Sequence, residues 1–298
     1  MIISVFDKYS GFFSMFFFFV NHYIYAIKNN FNFKIYSEKW LFKYKLGWED
    51  YFKNIDICDK PNSQNIIGNF NTTLSYYSIQ EYKNVLDNIY KYNKNVIQLI
   101  NQKKKELNLL EREYSSIFIR RGDKLLSESD YIHSKEYLKY LLEINPNCNL
   151  IFLQTDDYNC YLELDNYIKS NNLNIKVLTM CEQDCKGMTI FTAHRNSILT
   201  QRNFKRSNNI DYLKKNLSSL SKFKSVDKMN NNEIYNHTMA MIIGIDIVLS
   251  SNIVVTDYSS NVARFIKLKH SNNDKVYDVI SKSNNLDYNK MICPSRGF

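Results

Sequence analysis

The sequence predicts an α/β protein with a parallel, doubly wound sheet, divided into an N-terminal open α/β domain (residues 1–110) and a C-terminal Rossmann-like domain (residues 111–298). Short apolar runs alternate with stretches of helical period, the pattern of successive βαβ units. With 298 residues, 44% of them apolar and 15% aromatic, the chain is long and apolar enough to bury two cores and is not a disordered one. A polar, Lys/Asn-rich stretch of helical period at about 75–112 separates the two series and reads as the interdomain connection.

The first series opens with a strand at Ile2–Phe6, turns at Ser10-Gly11, continues as an aromatic helix from Phe12 to Asn29 and closes on a strand at Phe33–Tyr36. In the second, strands are expected at Ser116–Ile119, Leu150–Gln154, Ile175–Thr179 and Ile253–Thr256. Helices are expected at Ser134–Ile144, Cys160–Ser170, Asn232–Gly244 and Asn261–Lys269. The basic stretch from Cys181 to Met229 gives no clear period, and no internal repeat is evident.

A formal charge of +9 favours anionic partners without choosing among them. Lys103-Lys104-Lys105 and Lys214-Lys215 read as solvated helix faces, and no RNP-like string of aromatics and arginines points to nucleic acid. The six cysteines form no C-x-x-C pair and have no histidine at zinc spacing, so they read as free thiols in a reducing compartment. The apolar run Phe12–Val20 is too short to span a membrane and has no basic leader or cleavage site. The expectation is a soluble, cytoplasmic protein with no membrane span.

Three clusters follow apolar strands directly: Arg120-Arg121-Gly122-Asp123-Lys124, Thr155-Asp156-Asp157 and Asp257-Tyr258-Ser259-Ser260-Asn261. Ligands of open α/β sheets bind beyond the carboxyl ends of the strands, where all three would meet. Arginine offers a fork of donors matched to phosphate oxygens, and a Ser-Ser-Asn turn opening a helix adds hydroxyls and dipole-aligned N–H groups. Such a site holds a diphosphate with no metal. Gly11, in a turn before a helix, lets backbone approach the same ligand, or serves the turn alone.

These residues resemble the α-1,6-fucosyltransferases. Ile119-Arg120-Arg121-Gly122-Asp123-Lys124 is similar to their arginine motif, Thr155-Asp156-Asp157 to their second motif and Ser259-Ser260-Asn261-Val262-Ala263-Arg264 to their third. Ser10-Gly11-Phe12-Phe13-Ser14, Trp40, Gly47-Trp48-Glu49 and Phe52 are similar to the family's N-terminal segment. The resemblance implies a GT-B-like fold of two Rossmann-like domains, with the nucleotide-sugar site in the C-terminal one. It implies inverting, metal-independent transfer from GDP-fucose, or another nucleotide sugar, to a hydroxyl of a glycan or glycoprotein, with no cofactor.

By matched position, Arg120 would bind the donor's β-phosphate, and Glu128 would be the general base with Lys124 beside it. Arg121 and Asp123 would order the loop around the donor, while Ser259, Ser260 and Asn261 hold its diphosphate; Arg264 belongs to the same motif. The pair Asp156-Asp157, which in other glycosyltransferases could hold a divalent ion, is here expected to contact the loop or the ligand.

The chain departs from the family at two positions. Phe118 stands where a histidine is usual, and Gly244 where an aspartate takes the guanine base, so either Asp246 substitutes or the donor carries another base. An α-1,2- or protein O-fucosyltransferase-like enzyme and a non-catalytic nucleotide- or glycan-binding module are the other readings. His133, His194 and His237 show no ligand spacing and receive no role.

Overall fold

The computed structural model describes residues 1–6, 10–53, 55–59, 77–110, 112–122, 124–127, 129–185, 187–189 and 224–286. Its centre is a five-stranded, fully parallel sheet in the order β5-β4-β3-β8-β9. The strands are β3 (Ser115–Ile119), β4 (Leu150–Thr155), β5 (Lys176–Thr179), β8 (Ile253–Thr256) and β9 (Val276–Asp278). The chain leaves β3 through β4 and β5 toward one edge, then returns to place β8 on the other side of β3. That reversal makes the gap between the ends of β3 and β8 the topological switch point, the usual ligand crevice of such sheets.

Strand residues alternate between two apolar layers, as the period of two requires. Ile117, Ile119, Ile151, Leu153 and Val255 face α5 (Ser134–Ile144) and α6 (Asn159–Ser170). Phe118, Phe152 and Val254 face the opposite layer, which contains α7 (Asn231–Leu249) and α8 (Asn261–Lys269). Both faces are covered, which is why the strands read as continuous apolar runs.

The N-terminal part is the expected βαβ unit: β1 (Ile2–Val5), α1 (Phe12–Lys28) and β2 (Phe33–Tyr36), with β1 parallel to β2. The apolar run beginning at Phe12 is a core helix, as its sequence predicts, with Phe12, Phe13, Phe16, Phe17 and Phe19 buried. Trp48 stacks on Phe52 at 4.3 Å, and the loop before it is pinned by Asp50, whose carboxylate accepts from the backbone N–H groups of Tyr44, Lys45, Leu46 and Gly47. One apolar cluster joins Phe6, Phe16 and Trp48 to Phe118, Phe152 and Phe265. The N-terminal segment and one face of the large sheet therefore share a core.

The expected connecting stretch is two helices, α2 (Ile79–Ile89) and α3 (Lys94–Glu106), the second capped by the Asn93 side chain. The lysine run is less solvated than its sequence suggests, because Lys104 Nζ lies 2.6 Å from Asp246 and 2.7 Å from Ser250 and ties α3 to α7. A short α4 (Lys124–Ser127) follows β3. Two further short strands, β6 (Met188–Thr189) and β7 (Lys224–Ser225), pair in parallel. Lys214-Lys215 and His194 lie outside the described residues. The helix expected to end at Gly244 continues to Leu249, and β9 is a strand that its three residues do not announce.

The five described cysteines are free thiols, of which Cys148 and Cys160 are buried. No helix among the described residues is long and apolar enough to cross a membrane.

Phe265 on α8 packs at 4.5 Å from Tyr90, 4.8 Å from Phe13 and 5.6 Å from Phe16, and so seats α8 on α1. Phe265→Ala is expected to lower the free energy of unfolding by about 3–5 kcal/mol, with Phe265→Leu costing less than half as much. Urea denaturation of the three proteins measures this, and a loss below about 1 kcal/mol for the alanine variant would contradict the packing described.

Candidate functional site

All three sequence clusters converge on one cavity of about 660 Å³ at the carboxyl edge of the large sheet. Arg120 and Lys124 reach it from the end of β3, Asp156 from β4, and Ser260 and Asn261 from the turn before α8. Gly11 and Ser14 close it from the start of α1. Asn261 Nδ2 donates to Ser14 Oγ at 3.1 Å, joining two segments far apart in sequence at the cavity wall.

Two helices begin at this wall. Ser260 caps α8, its hydroxyl accepting from Ala263 N at 3.1 Å. Gly11 precedes α1 with no side-chain cap, so the first N–H groups of α1 are left for another acceptor. Arg120 is paired with Asp156, which also accepts from the Arg121 backbone N–H at 2.8 Å. The cavity presents a guanidinium, an ammonium and two positive helix ends on one side, groups suited to a diphosphate, together with the carboxylates of Asp156, Glu182 and Glu233.

Several expected binding residues support this wall rather than form it. Arg121 is buried on the opposite side of the sheet, since consecutive residues leaving a strand point to opposite faces. Its two terminal nitrogens grip the Glu163 carboxylate of α6 at 3.0 and 2.7 Å, and its guanidinium lies 4.7 Å from the centre of the Tyr131 ring. Asp157, also buried, accepts from Asn159 N at 3.0 Å at the start of α6 and lies 3.6 Å from Arg121. Neither borders the cavity. Arg264 holds the Ser-Ser-Asn turn, donating to the carbonyls of Tyr258 and Ser259 and to Asn261 Oδ1. Ser259 is bound to Asp257 and Ser129.

Asp246 is not among the residues that line the cavity; it pairs with Lys104 and fastens α7 to α3. Glu128 and Asp123 lie outside the described residues. Among the described residues no group of three or more His, Cys, Asp or Glu side chains is placed to hold a metal ion.

Sequence reasoning missed the far half of the wall. Glu233, His237, Ala240 and Met241 line it from one stripe of α7, and Met180, Cys181 and Cys185 line it from the loop after β5. Spacings of three and four along α7 could have revealed the stripe. Cys185 Sγ donates to Asp156 O at 3.1 Å; the Cys181 thiol ionises far less readily than usual, first through its hydrogen bond with Cys185 and then through burial. Gln154 also lines the cavity. Its register partner on β3 is Phe118, another wall residue.

No protein-family model matches the chain, and no curated protein does. Solved structures do. A crystal structure of the α-1,6-fucosyltransferase NodZ soaked with GDP-fucose superposes with a TM-score of 0.55 at 12% identity, covering 96% of this chain and 97% of that one. NodZ co-crystallised with GDP gives 0.54 at 10% identity, over 89% and 91% of the two chains. The fucosyltransferase NodZ from Bradyrhizobium gives 0.52 at 10% identity, over 89% and 91%. At these identities the likeness carries the fold, which is α/β and GT-B-like, as the sequence predicts.

The lock behind Arg120 is open to test by pH. Burial alone would raise the Glu163 pKa, but the hydrogen bonds and charge of Arg121, with the Ser134 N–H and hydroxyl, override it and hold the carboxyl at about 2. The carboxyl is thus more acidic folded than unfolded, so its contribution is complete above its ordinary value of 4.5 and is lost as pH falls toward 2. That contribution is about 3 kcal/mol. Glu163→Gln is expected to lower stability at neutral pH and to flatten its decline between about pH 5 and pH 2. Unfolding measured across that range would show equal slopes for both proteins if the pair contributes nothing.

Proposed function

We propose that this chain is a glycosyltransferase of the fucosyltransferase type, which binds a nucleoside-diphosphate sugar and transfers the sugar to a hydroxyl of a glycan or glycoprotein. The observation that carries the reading is the meeting of Arg120, the Ser260-Asn261 start of α8 and the Gly11 start of α1 around one cavity. NodZ, whose fold this chain shares, has been crystallised with GDP and with GDP-fucose. GDP-fucose is accordingly the first donor to consider.

In this reading Arg120 meets the charge that grows on the departing diphosphate, and the two helix N-termini and Lys124 spread it further. Asp156 aims Arg120, while Arg121, Asp157 and Arg264 keep the surrounding backbone in place. Glu128 is proposed as the general base that takes the acceptor proton, on the face opposite the leaving group, so that the anomeric centre inverts. This arrangement asks for no metal and no cofactor. With a division at about residue 110, residues 111–298 are proposed to carry the donor and residues 1–110 the acceptor side, apart from the start of α1, which reaches the donor's diphosphate.

Isothermal titration with GDP, and release of GDP from GDP-fucose in the presence of glycan acceptors, test the reading. Arg120→Ala is expected to weaken GDP at least tenfold, the loss expected for a charge-assisted phosphate contact. Glu128→Gln should stop turnover while leaving GDP affinity within about twofold, since a base that touches only the acceptor makes no donor contact. Equal GDP affinity in the parent and Arg120→Ala would end this assignment. GDP binding without any turnover would mark the chain as a binding module.

A further inference from the structure

Gly244 lies inside a nineteen-residue helix, where glycine is less stable than alanine, and its place there is matched by a close approach from outside the helix. The approach comes from β4. A Cβ on Gly244 would lie 2.0 Å from Gln154 Oε1 and 2.5 Å from Gln154 Cδ, so the glycine makes room for that carboxamide. No side-chain hydrogen bond to Gln154 occurs among the described residues, although its side chain lines the cavity and is only half-buried.

The neighbours of Gln154 define a slot. Phe118 is its register partner on β3, and Ala240 and Met241 lie one turn before Gly244 on the same face of α7; all three border the cavity, as does Met180 after β5. An apolar slot with one unpartnered amide suits a flat ring with a polar edge. The slot adjoins Asp156, which aims Arg120, and so lies beside the diphosphate end of the cavity.

We propose that Gln154, accommodated by Gly244, is the residue that reads the base of the bound nucleotide. The inference rests on the nucleotide-sugar reading and adds to it the part of the ligand that this wall recognises. A carboxamide offers one acceptor and two N–H donors, which match a ring carbonyl beside a ring N–H, the edge shared by guanine and uracil. A carboxylate offers acceptors only, and it matches guanine alone, through the ring N–H and the adjacent amino group.

Titration of the parent, Gln154→Leu, Gln154→Glu and Gly244→Ala with GDP, UDP and inorganic pyrophosphate tests this. Gln154→Leu is expected to weaken GDP and UDP by about tenfold or more while leaving pyrophosphate unchanged. Gly244→Ala, whose methyl displaces only the end of a flexible side chain, should do the same. Gln154→Glu should shift preference toward GDP over UDP by about tenfold, a change of selectivity that a purely structural role would not produce. Unchanged nucleotide affinity in Gln154→Leu, or an equal loss of pyrophosphate, overturns the inference while the diphosphate site stands. A parent that binds neither nucleotide nor pyrophosphate overturns the functional reading as well.

Discussion

The grip of Arg121 on Glu163 decides where the chemistry can be. Two arginines leave β3 in succession, and the pleat sends them to opposite faces of the sheet. One enters the layer under α5 and α6, where a bidentate carboxylate, the Ser134 hydroxyl and the Tyr131 ring surround its guanidinium. A buried charge with such partners is costly to move, because breaking the pair leaves the other ion in a poor solvent. The backbone at the strand end is thereby fixed, and the other arginine has the cavity side of the sheet. Gly122, with φ at 42°, then makes the turn into α4 in a conformation that other residues adopt at a cost.

A second constraint comes from the aromatic helix α1. The switch point between β3 and β8 supplies only part of a site; the rest is contributed from the beginning of the chain. Phe13 and Phe16 against Phe265 seat α8 on α1, and the Asn261–Ser14 hydrogen bond aligns their N-terminal ends. Both helix dipoles therefore point their positive ends at the same space, which a packing defect between these helices would disperse. The phenylalanines of α1 serve the site indirectly, by packing buried rings into this contact.

Much of this was legible in the sequence, and the limits have physical causes. The βαβ pattern, the ends of α5 and α8 and the convergence of three strand-end clusters follow from apolar period and from the rule that parallel strands share one carboxyl edge. The fate of a side chain at that edge is a matter of parity and partner. Arg121, Asp157 and Arg264 have the residue types of ligand contacts, yet each has a protein partner that the one-dimensional pattern does not display. The same holds for Asp246, whose partner Lys104 lies 142 positions away on a helix that reads as solvated. Gly244, where the sequence predicts a helix end, lies inside the helix and marks a close approach from β4.

The two departures from the fucosyltransferase pattern, Phe118 and Gly244, are separate along the chain but belong to one packed unit. Gln154 lies between them, beside Phe118 by sheet register and against Gly244 by contact. A side chain at 244 would push the Gln154 carboxamide from its present place, and a polar ring at 118 would change the slot in which that carboxamide sits. Residues in contact do not contribute additively, so the effects of exchanging these three are expected to be coupled. On the proposed reading, the two departures are one feature: the hydrogen-bonding group that faces this part of the cavity is on β4, between an apolar ring on β3 and a glycine on α7.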